Sequence, residues 1–227
     1  MKKKYPTVVC LSIIFIFFSC AAQTAPNYFP VPDSGISQDE KSTFIEIGNI
    51  IEAKDGTVNQ MPAWLRSFLG SGINAVEKLE DYNNKYVFIV SNQGDNIAAL
   101  NKWVEYYTVE HDFPMLAAER IEKRMYLTAS LYPDDEYGAF YETMIHNAYK
   151  TEYSDAEKKD YYWIKIKSEK EEGISENYMF FILITIEKNI MQSIIRNMIA
   201  KSNAAVTLTN SQNSSVNKLR NTFFEGF

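Results

Sequence analysis

Cys20 is the residue whose type and position most clearly predict chemistry. It directly follows the tripeptide Phe17-Phe18-Ser19, and an apolar run over residues 8–18 precedes it, with lysines at positions 2–4. A positive start, a short apolar run and a small residue at the cleavage point are typical of a secretory signal. The run is shorter than the roughly 20 residues that a membrane-spanning helix needs. We therefore predict cleavage before Cys20, with an uncleaved anchor as the alternative.

The residues before Cys20 resemble the lipobox of bacterial lipoproteins, with Phe17 at the position where an aliphatic residue is usual. The resemblance implies that the Cys20 thiol carries a thioether-linked diacylglycerol and that the freed amine can take a third acyl chain. Two or more chains hold a protein firmly at a membrane, at about 0.8 kcal/mol for each buried CH₂ group. We expect a signal peptide over residues 1–19 and a lipidated Cys20 that anchors the protein to the inner or outer membrane.

The composition excludes several functions for the rest of the chain. The net charge is −6, and loss of the three lysines with the signal would make it −9. An acidic body is unsuited to binding nucleic acid or an anionic lipid surface. The two cysteines are Cys10, which lies in the signal, and Cys20. The mature chain therefore has no internal disulfide, no cysteine-based metal site and no thiol nucleophile, and core burial must stabilise it.

Hydrophobic periodicity predicts an α+β fold, in which a small antiparallel or mixed sheet of at least three strands packs against several helices. The predicted strands cover residues 86–90, 161–167 and 178–186, the last two as a hairpin. The predicted helices cover residues 39–53, 62–69, 74–82, 97–110, 112–131, 134–148 and 189–201. Residues 168–177 are predicted to form a charged loop and residues 202–217 an irregular segment. Val87, Phe88 and Ile89 are expected to meet Phe180, Ile182 and Ile184 in one core.

These elements suggest a simple domain organisation. A flexible tether over residues 20–42, which contains Pro26, Pro30 and Pro32, is expected to follow the signal. The α+β domain is predicted over residues 43–201, with a C-terminal extension over residues 202–227. Pro114 is expected to interrupt the helical pattern that starts at residue 97, and Asp112 is expected to cap the second helix, over residues 112–131.

The body of the chain also resembles a family. Its element order, with a few aromatic residues, is similar to that of the LPP-twenty lipoprotein family and of the N-terminal domain of flagellar assembly protein T. The segments that carry the resemblance are Pro62-Ala63-Trp64, Tyr86-Val87-Phe88-Ile89-Val90, Ala117-Ala118-Glu119-Arg120, Tyr162-Trp163-Ile164 and residues 178–187. The resemblance implies an envelope lipoprotein of structural or assembly character, without catalysis, and it transfers no site residues.

Other candidate motifs have simpler structural explanations. His111 and His146 are the only histidines and lie on different predicted helices, so we expect no metal or triad at either. The segment 91–96 lacks the Gly-Lys-Ser/Thr ending of a phosphate loop, and we interpret it as a turn with a helix cap. Asp134-Asp135-Glu136 lacks the spacing of a calcium loop, and we expect it to cap a helix. No pair among the acidic residues stands out as catalytic.

The tyrosines of the second half offer the clearest candidate for a binding surface. They fill a core, cover a sheet or, if some are exposed, bind a peptide or glycan. This set is Tyr132, Tyr137, Tyr141, Tyr149, Tyr153, Tyr161, Tyr162 and Tyr178.

The sequence therefore predicts a membrane-anchored envelope lipoprotein with a non-catalytic binding or scaffolding module and no cofactor. Its expected partners are the membrane, through Cys20, and an envelope protein, peptide or glycan. The alternatives are a periplasmic or surface hydrolase and a small solute-binding lipoprotein.

Overall fold

The fold is built on a four-stranded antiparallel sheet. A computed structural model of the chain describes residues 49–56, 60–130, 138–170, 173–225 and 227. The strands are β1 (Ile50–Ala53), β2 (Lys85–Gly94), β3 (Glu157–Lys170) and β4 (Gly173–Glu187), in the order β1-β3-β4-β2. With helices on its faces, this sheet confirms the predicted α+β fold.

The central strand is β4, which pairs with β3 on one side and with β2 on the other. Its residues 180–186 are all buried, because helices cover both faces of the sheet. The predicted strand over residues 178–186 is thereby confirmed, and its nearly unbroken apolar run is typical of a strand that is covered on both faces. Strands β3 and β4 form the predicted hairpin, but both continue to Lys170 and Gly173, so the predicted loop at residues 168–177 is wrong.

The sheet separates two hydrophobic cores. Alternate residues of a strand point to opposite faces, so Phe88 meets Phe180 in the larger core, whereas Val87 and Ile89 lie in the smaller core with Leu183. The prediction of a single core for these strands is therefore wrong. The smaller core also holds Trp64, Leu65, Phe68, Tyr162 and Ile164.

The helices are divided unequally between the faces. On the smaller core lie α1 (Ala63–Ser71) and α2 (Ile73–Val76), and a short 3₁₀ helix at Glu80–Tyr82 follows them. Residues of the other five helices form the larger core: α3 (Ile97–Tyr106), α4 (Val109–Ser130), α5 (Gly138–Lys150), α6 (Lys188–Ala205) and α7 (Asn210–Thr222). None of the described helices is both long enough and apolar enough to cross a bilayer.

The break between α3 and α4 falls before Pro114. Tyr107 has extended backbone angles, and Asp112 accepts a hydrogen bond from the Thr108 N–H at 2.8 Å. Helix α4 then continues through Pro114, the sixth residue of the helix, where the missing N–H removes one hydrogen bond of the helix. The predicted interruption of the helical region is confirmed, but the second helix begins at Val109 and not at Asp112 as expected. The expected cap at Asp134-Asp135-Glu136 lies outside the described residues.

Two further predictions are wrong at the ends of the chain. Residues 50–53 form β1 and not the end of a helix over residues 39–53, since Ile50 and Ala53 are buried while Ile51 is 46% exposed; residues 39–48 lie outside the described part. Residues 202–217 are largely helical rather than irregular. Helix α7 begins with a capping box, in which the side chains of Thr209 and Gln212 each accept a hydrogen bond from the other residue's backbone N–H.

We predict that Leu183→Ala lowers the free energy of unfolding by about 2–5 kcal/mol, because it leaves a cavity in the smaller core beneath the central strand. Leu183 is fully buried. Urea denaturation measures the change. In the control Ile174→Ala, at a residue that is 63% exposed, we expect a change within about 0.5 kcal/mol. Equal effects of the two substitutions would contradict the placement of Leu183.

Candidate functional site

The motifs singled out in the sequence do not meet in one place. His111 and His146 are exposed, on α4 and α5. Within the described ranges, no group of three or more His, Cys, Asp or Glu side chains lies close enough to hold a metal ion. In the segment 91–96, strand β2 continues to Gly94, and Asn96 caps α3 by accepting hydrogen bonds from the Ala98 and Ala99 N–H groups at 3.0 and 3.1 Å. The cap is confirmed, and the turn is shorter than predicted.

The structure divides the tyrosines between core and surface. Tyr153 and Tyr162 are buried, whereas Tyr149 is 44% exposed. Tyr141, Tyr161 and Tyr178 are half-buried, and Tyr132 and Tyr137 lie outside the described residues. The exposed member, Tyr149, is on α5 beside α4, and it directs attention to the outer surface of those two helices.

A row of side chains, exposed except for the half-buried Glu122, runs along the outer surface of α4. We call Met115, Glu119, Glu122 and Tyr126 the α4 stripe; their spacings of four, three and four residues place them on one face of the helix. Met115 is 49% exposed and Tyr126 is 67% exposed, at the two ends of the stripe. The opposite face of α4 packs into the larger core through Ala117, Ala118, Ile121 and Met125. The stripe therefore presents two apolar ends with two carboxylates between them.

Helix α5 places tyrosines beside these carboxylates. Its buried row of Phe140, Met144 and Ala148 fixes its rotation against the larger core. Tyr149 consequently donates a hydrogen bond from its hydroxyl to Glu122 Oε2 at 3.0 Å. Burial raises the pKa of Tyr141, and the nearby Glu122 and Tyr126 raise it further. The tyrosines and the stripe thus belong to one surface.

The electrostatics of this surface are unfavourable in the absence of a partner. Burial, and then the charge of Glu122, raise the pKa of the Glu119 carboxyl above its usual value. Among the described residues, neither carboxylate forms an ion pair with a basic side chain. Two carboxylates one turn apart repel each other. The surface is therefore suited to accepting hydrogen bonds from a cation.

A second charged cluster is buried and structural. Arg120, on the inner side of α4, forms an ion pair with Glu77 at 3.2 Å, and each side chain is about 10% exposed. Glu77 Oε1 accepts a hydrogen bond from the Val87 N–H at 2.9 Å, while Arg120 donates to the Val87 carbonyl at 3.0 Å. The guanidinium also lies 4.8–5.2 Å from the ring centres of Tyr86, Phe88 and Phe227. The pair thereby satisfies both outward-facing backbone groups of Val87 on the edge strand β2.

Arg124, one turn further along α4, holds the segment after α7. Its guanidinium donates to the carbonyls of Thr222 and Phe223, each at 2.7 Å, and to the carbonyl of Glu225. These carbonyls lie at or beyond the end of a helix, where no intrahelical partner is available. Arg124 therefore binds the end of α7 to α4, and Phe223 and Phe227 fill the larger core.

Sequence reasoning found part of this surface and missed the rest. Tyr141 and Tyr149 were among the predicted candidates, but Tyr126, Met115 and the two glutamates were not. The stripe spacing in α4 was a signal that could have found them. All four stripe residues lie within the predicted helix over residues 112–131, but polar residues on the exposed face of a helix are ordinary and do not by themselves indicate a binding surface.

Comparison of the chain with protein-family models, with curated proteins and with solved structures gave no significant match. The assignment to the α+β class therefore depends on the elements described above.

We predict that Glu122→Gln lowers the pKa of Tyr149. Burial is the first cause that raises this pKa, to about 12, and the hydrogen bond to Glu122 and the Glu122 charge add to it. Loss of the charge should therefore bring the pKa part of the way back towards 10. NMR of ¹³C-labelled tyrosine during a pH titration measures it, with Tyr149→Phe to assign the signal.

Because the folded protein holds the Tyr149 proton more tightly than the unfolded chain, the stability from this group is fully present below pH 10 and is lost as the pH rises through about 12. The control for the charge is Glu142→Gln, on the exposed side of α5, which should leave the Tyr149 signal unchanged. An unchanged pKa in Glu122→Gln would contradict the hydrogen-bonded pair.

We predict that Arg120→Ala lowers the free energy of unfolding by about 3–5 kcal/mol, since it leaves a buried carboxylate without its cation. Chemical denaturation provides the measurement. As a matched control, Lys85→Ala breaks the more exposed pair with Glu187, whose side chains are 24% and 46% exposed, and should cost less than about 1 kcal/mol. If both substitutions cost the same, the Glu77–Arg120 pair has no special role.

Proposed function

We propose that this chain is a lipid-anchored lipoprotein of the bacterial cell envelope, whose folded part binds or scaffolds another envelope component without catalysis. The observation that carries the proposal is the lipobox-like segment before Cys20, preceded by three lysines and an apolar run. A thiol in that position is the acceptor for diacylglycerol in bacterial lipoproteins. A secreted, acylated protein of this kind is held at the membrane by its lipid chains.

The folded part supports a binding role through its surface. The α4 stripe and Tyr149 expose aromatic, apolar and acidic side chains together, and tyrosine is enriched in protein interfaces. The histidines are exposed on separate helices, and the Glu77–Arg120 pair is engaged with the backbone of β2. The exposed side chains of the stripe are available to a partner without any further rearrangement, and they support a binding role.

The resemblance to the LPP-twenty lipoproteins and to the N-terminal domain of flagellar assembly protein T points the same way. The segments that carry it fall on α1, β2, α4, β3 and β4. In the segment Ala117-Ala118-Glu119-Arg120, the two alanines pack into the larger core, and Arg120 donates a hydrogen bond to the Val87 carbonyl of β2. The resemblance supports the proposed structural or assembly role at the envelope.

Metabolic labelling with radioactive palmitate tests the anchor. We expect the wild-type protein to incorporate label and to fractionate with membranes, and Cys20→Ala to do neither, because the acyl acceptor is lost. Cys10→Ala is the matched control, since Cys10 is the other cysteine of the chain, and it should be labelled like the wild type. Unlabelled wild-type protein, or label that persists in Cys20→Ala, would overturn the proposed anchor.

A further inference from the structure

We propose that the α4 stripe, with Tyr149 beside it, is a docking surface for a cationic peptide segment of a partner protein, in which an arginine is flanked by apolar side chains. This inference builds on the proposed binding role and names the chemistry of the partner. Unlike the proposed lipid anchor, the proposed docking surface consists only of residues in the folded part of the chain.

The length and pattern of the stripe fit an amphipathic peptide. Met115 and Tyr126 are eleven positions apart, which corresponds to about 16 Å along a helix at 1.5 Å per residue. A helical peptide that lies along this row meets apolar contacts at both ends and carboxylates in the centre. Such a peptide would contact the stripe with side chains at three- and four-residue spacing, as amphipathic helices do when they bind through one face.

Charge complementarity selects a cation for the centre of the stripe. Glu119 and Glu122 lie one turn apart, and within the described part of the chain neither is in an ion pair. The elevated pKa of Glu119 reflects burial and the repulsion by Glu122. A bound cation would relieve that repulsion. An anionic partner such as nucleic acid would add to it.

The hydrogen-bonding pattern favours a guanidinium over other cations. Tyr149 occupies one oxygen of Glu122 as a donor at 3.0 Å, and the phenol keeps that carboxylate in place. The second oxygen of Glu122 and the carboxylate of Glu119 are acceptors for a planar group with several N–H donors. A quaternary ammonium has no N–H to offer. The exposed ring of Tyr126 adds a face on which a guanidinium stacks.

Binding of a defined probe to the full-length protein tests the proposal. The probe is a synthetic amphipathic helical peptide in which one arginine stands four positions after one leucine and seven positions before another, so that the leucines are as far apart as Met115 and Tyr126. Its twin carries citrulline, which has the same shape without the charge. Affinity is measured by fluorescence anisotropy of the labelled peptides, and the site is read from the ¹³C-methyl NMR signal of Met115, assigned with Met115→Leu.

We expect the arginine peptide to bind and to shift the Met115 signal, and the citrulline peptide to bind about tenfold more weakly, as for the loss of a charge-assisted hydrogen bond. The double variant Glu119→Gln/Glu122→Gln should lose a similar factor. The control Glu105→Gln/Glu110→Gln removes two exposed carboxylates from elsewhere on α3 and α4 and should bind like the wild type. Thermal unfolding of each variant establishes that it is folded.

Several results would overturn the proposal. These are equal affinity for the two peptides, equal loss in both double variants, or binding that leaves the Met115 signal unmoved. Free choline is a further arm, and its competition at the affinity of the peptide would identify a small quaternary ammonium as the ligand instead. The palmitate experiment is independent, because a failed anchor leaves peptide binding intact and a failed docking surface leaves acylation intact.

Discussion

The fold depends on how the backbone N–H and carbonyl groups at the outer side of the edge strand β2 find hydrogen-bond partners. An edge strand presents unpaired backbone groups, which are costly when buried and invite pairing with other chains when exposed. At Val87 both groups are satisfied by an ion pair, with Glu77 accepting from the N–H and Arg120 donating to the carbonyl. Because Glu77 follows α2 and Arg120 belongs to α4, the same contact joins the helices of the two faces across the edge of the sheet.

Helix α4 is the element that links the separate parts of the fold. Its inner side carries Arg120 at the sheet edge and Arg124 at the end of α7, one turn apart. Its buried apolar residues pack in the larger core, and its outer side carries the stripe of exposed residues. The inner contacts fix the rotation of the helix, and this rotation determines which side chains face solvent. The candidate surface is thus positioned by the same arginines that close the core.

The sequence predicted most reliably those elements whose pattern is long and local. The strand over residues 178–186 and the helical conformation of residues 138–148 were predicted correctly, since the apolar residues of both segments follow one pattern over many positions and are buried in the structure. The division of the sheet residues between two cores was missed, because a short run such as residues 86–90 does not reveal that both its faces are covered. The polar sequence of α7 concealed a helix that depends on its cap and on contacts with α4.

The candidate surface was harder to predict than the fold. Tyr149 could be singled out from composition, but its hydrogen bond to Glu122 arises from the packing of α5 against α4, which no local pattern encodes. The two glutamates look like ordinary solvent-facing residues until the tyrosines are placed beside them. The proposed anchor at Cys20 is the opposite case, since its predicted chemistry follows from a contiguous segment and needs no tertiary contact.

The topology of the sheet also has a consequence for the order of folding. Strands β3 and β4 are close in sequence, with Lys170 paired with Gly173, and can pair early at a small cost in loop entropy. Strand β2 pairs with β4 across a long stretch of intervening chain, from Lys85 with Glu187 to Gly94 with Tyr178. A protein with such distant pairing folds slowly. The sheet is completed only after β4 has been made, so a chain exported during synthesis would cross the membrane before its β2 strand has anything to pair with.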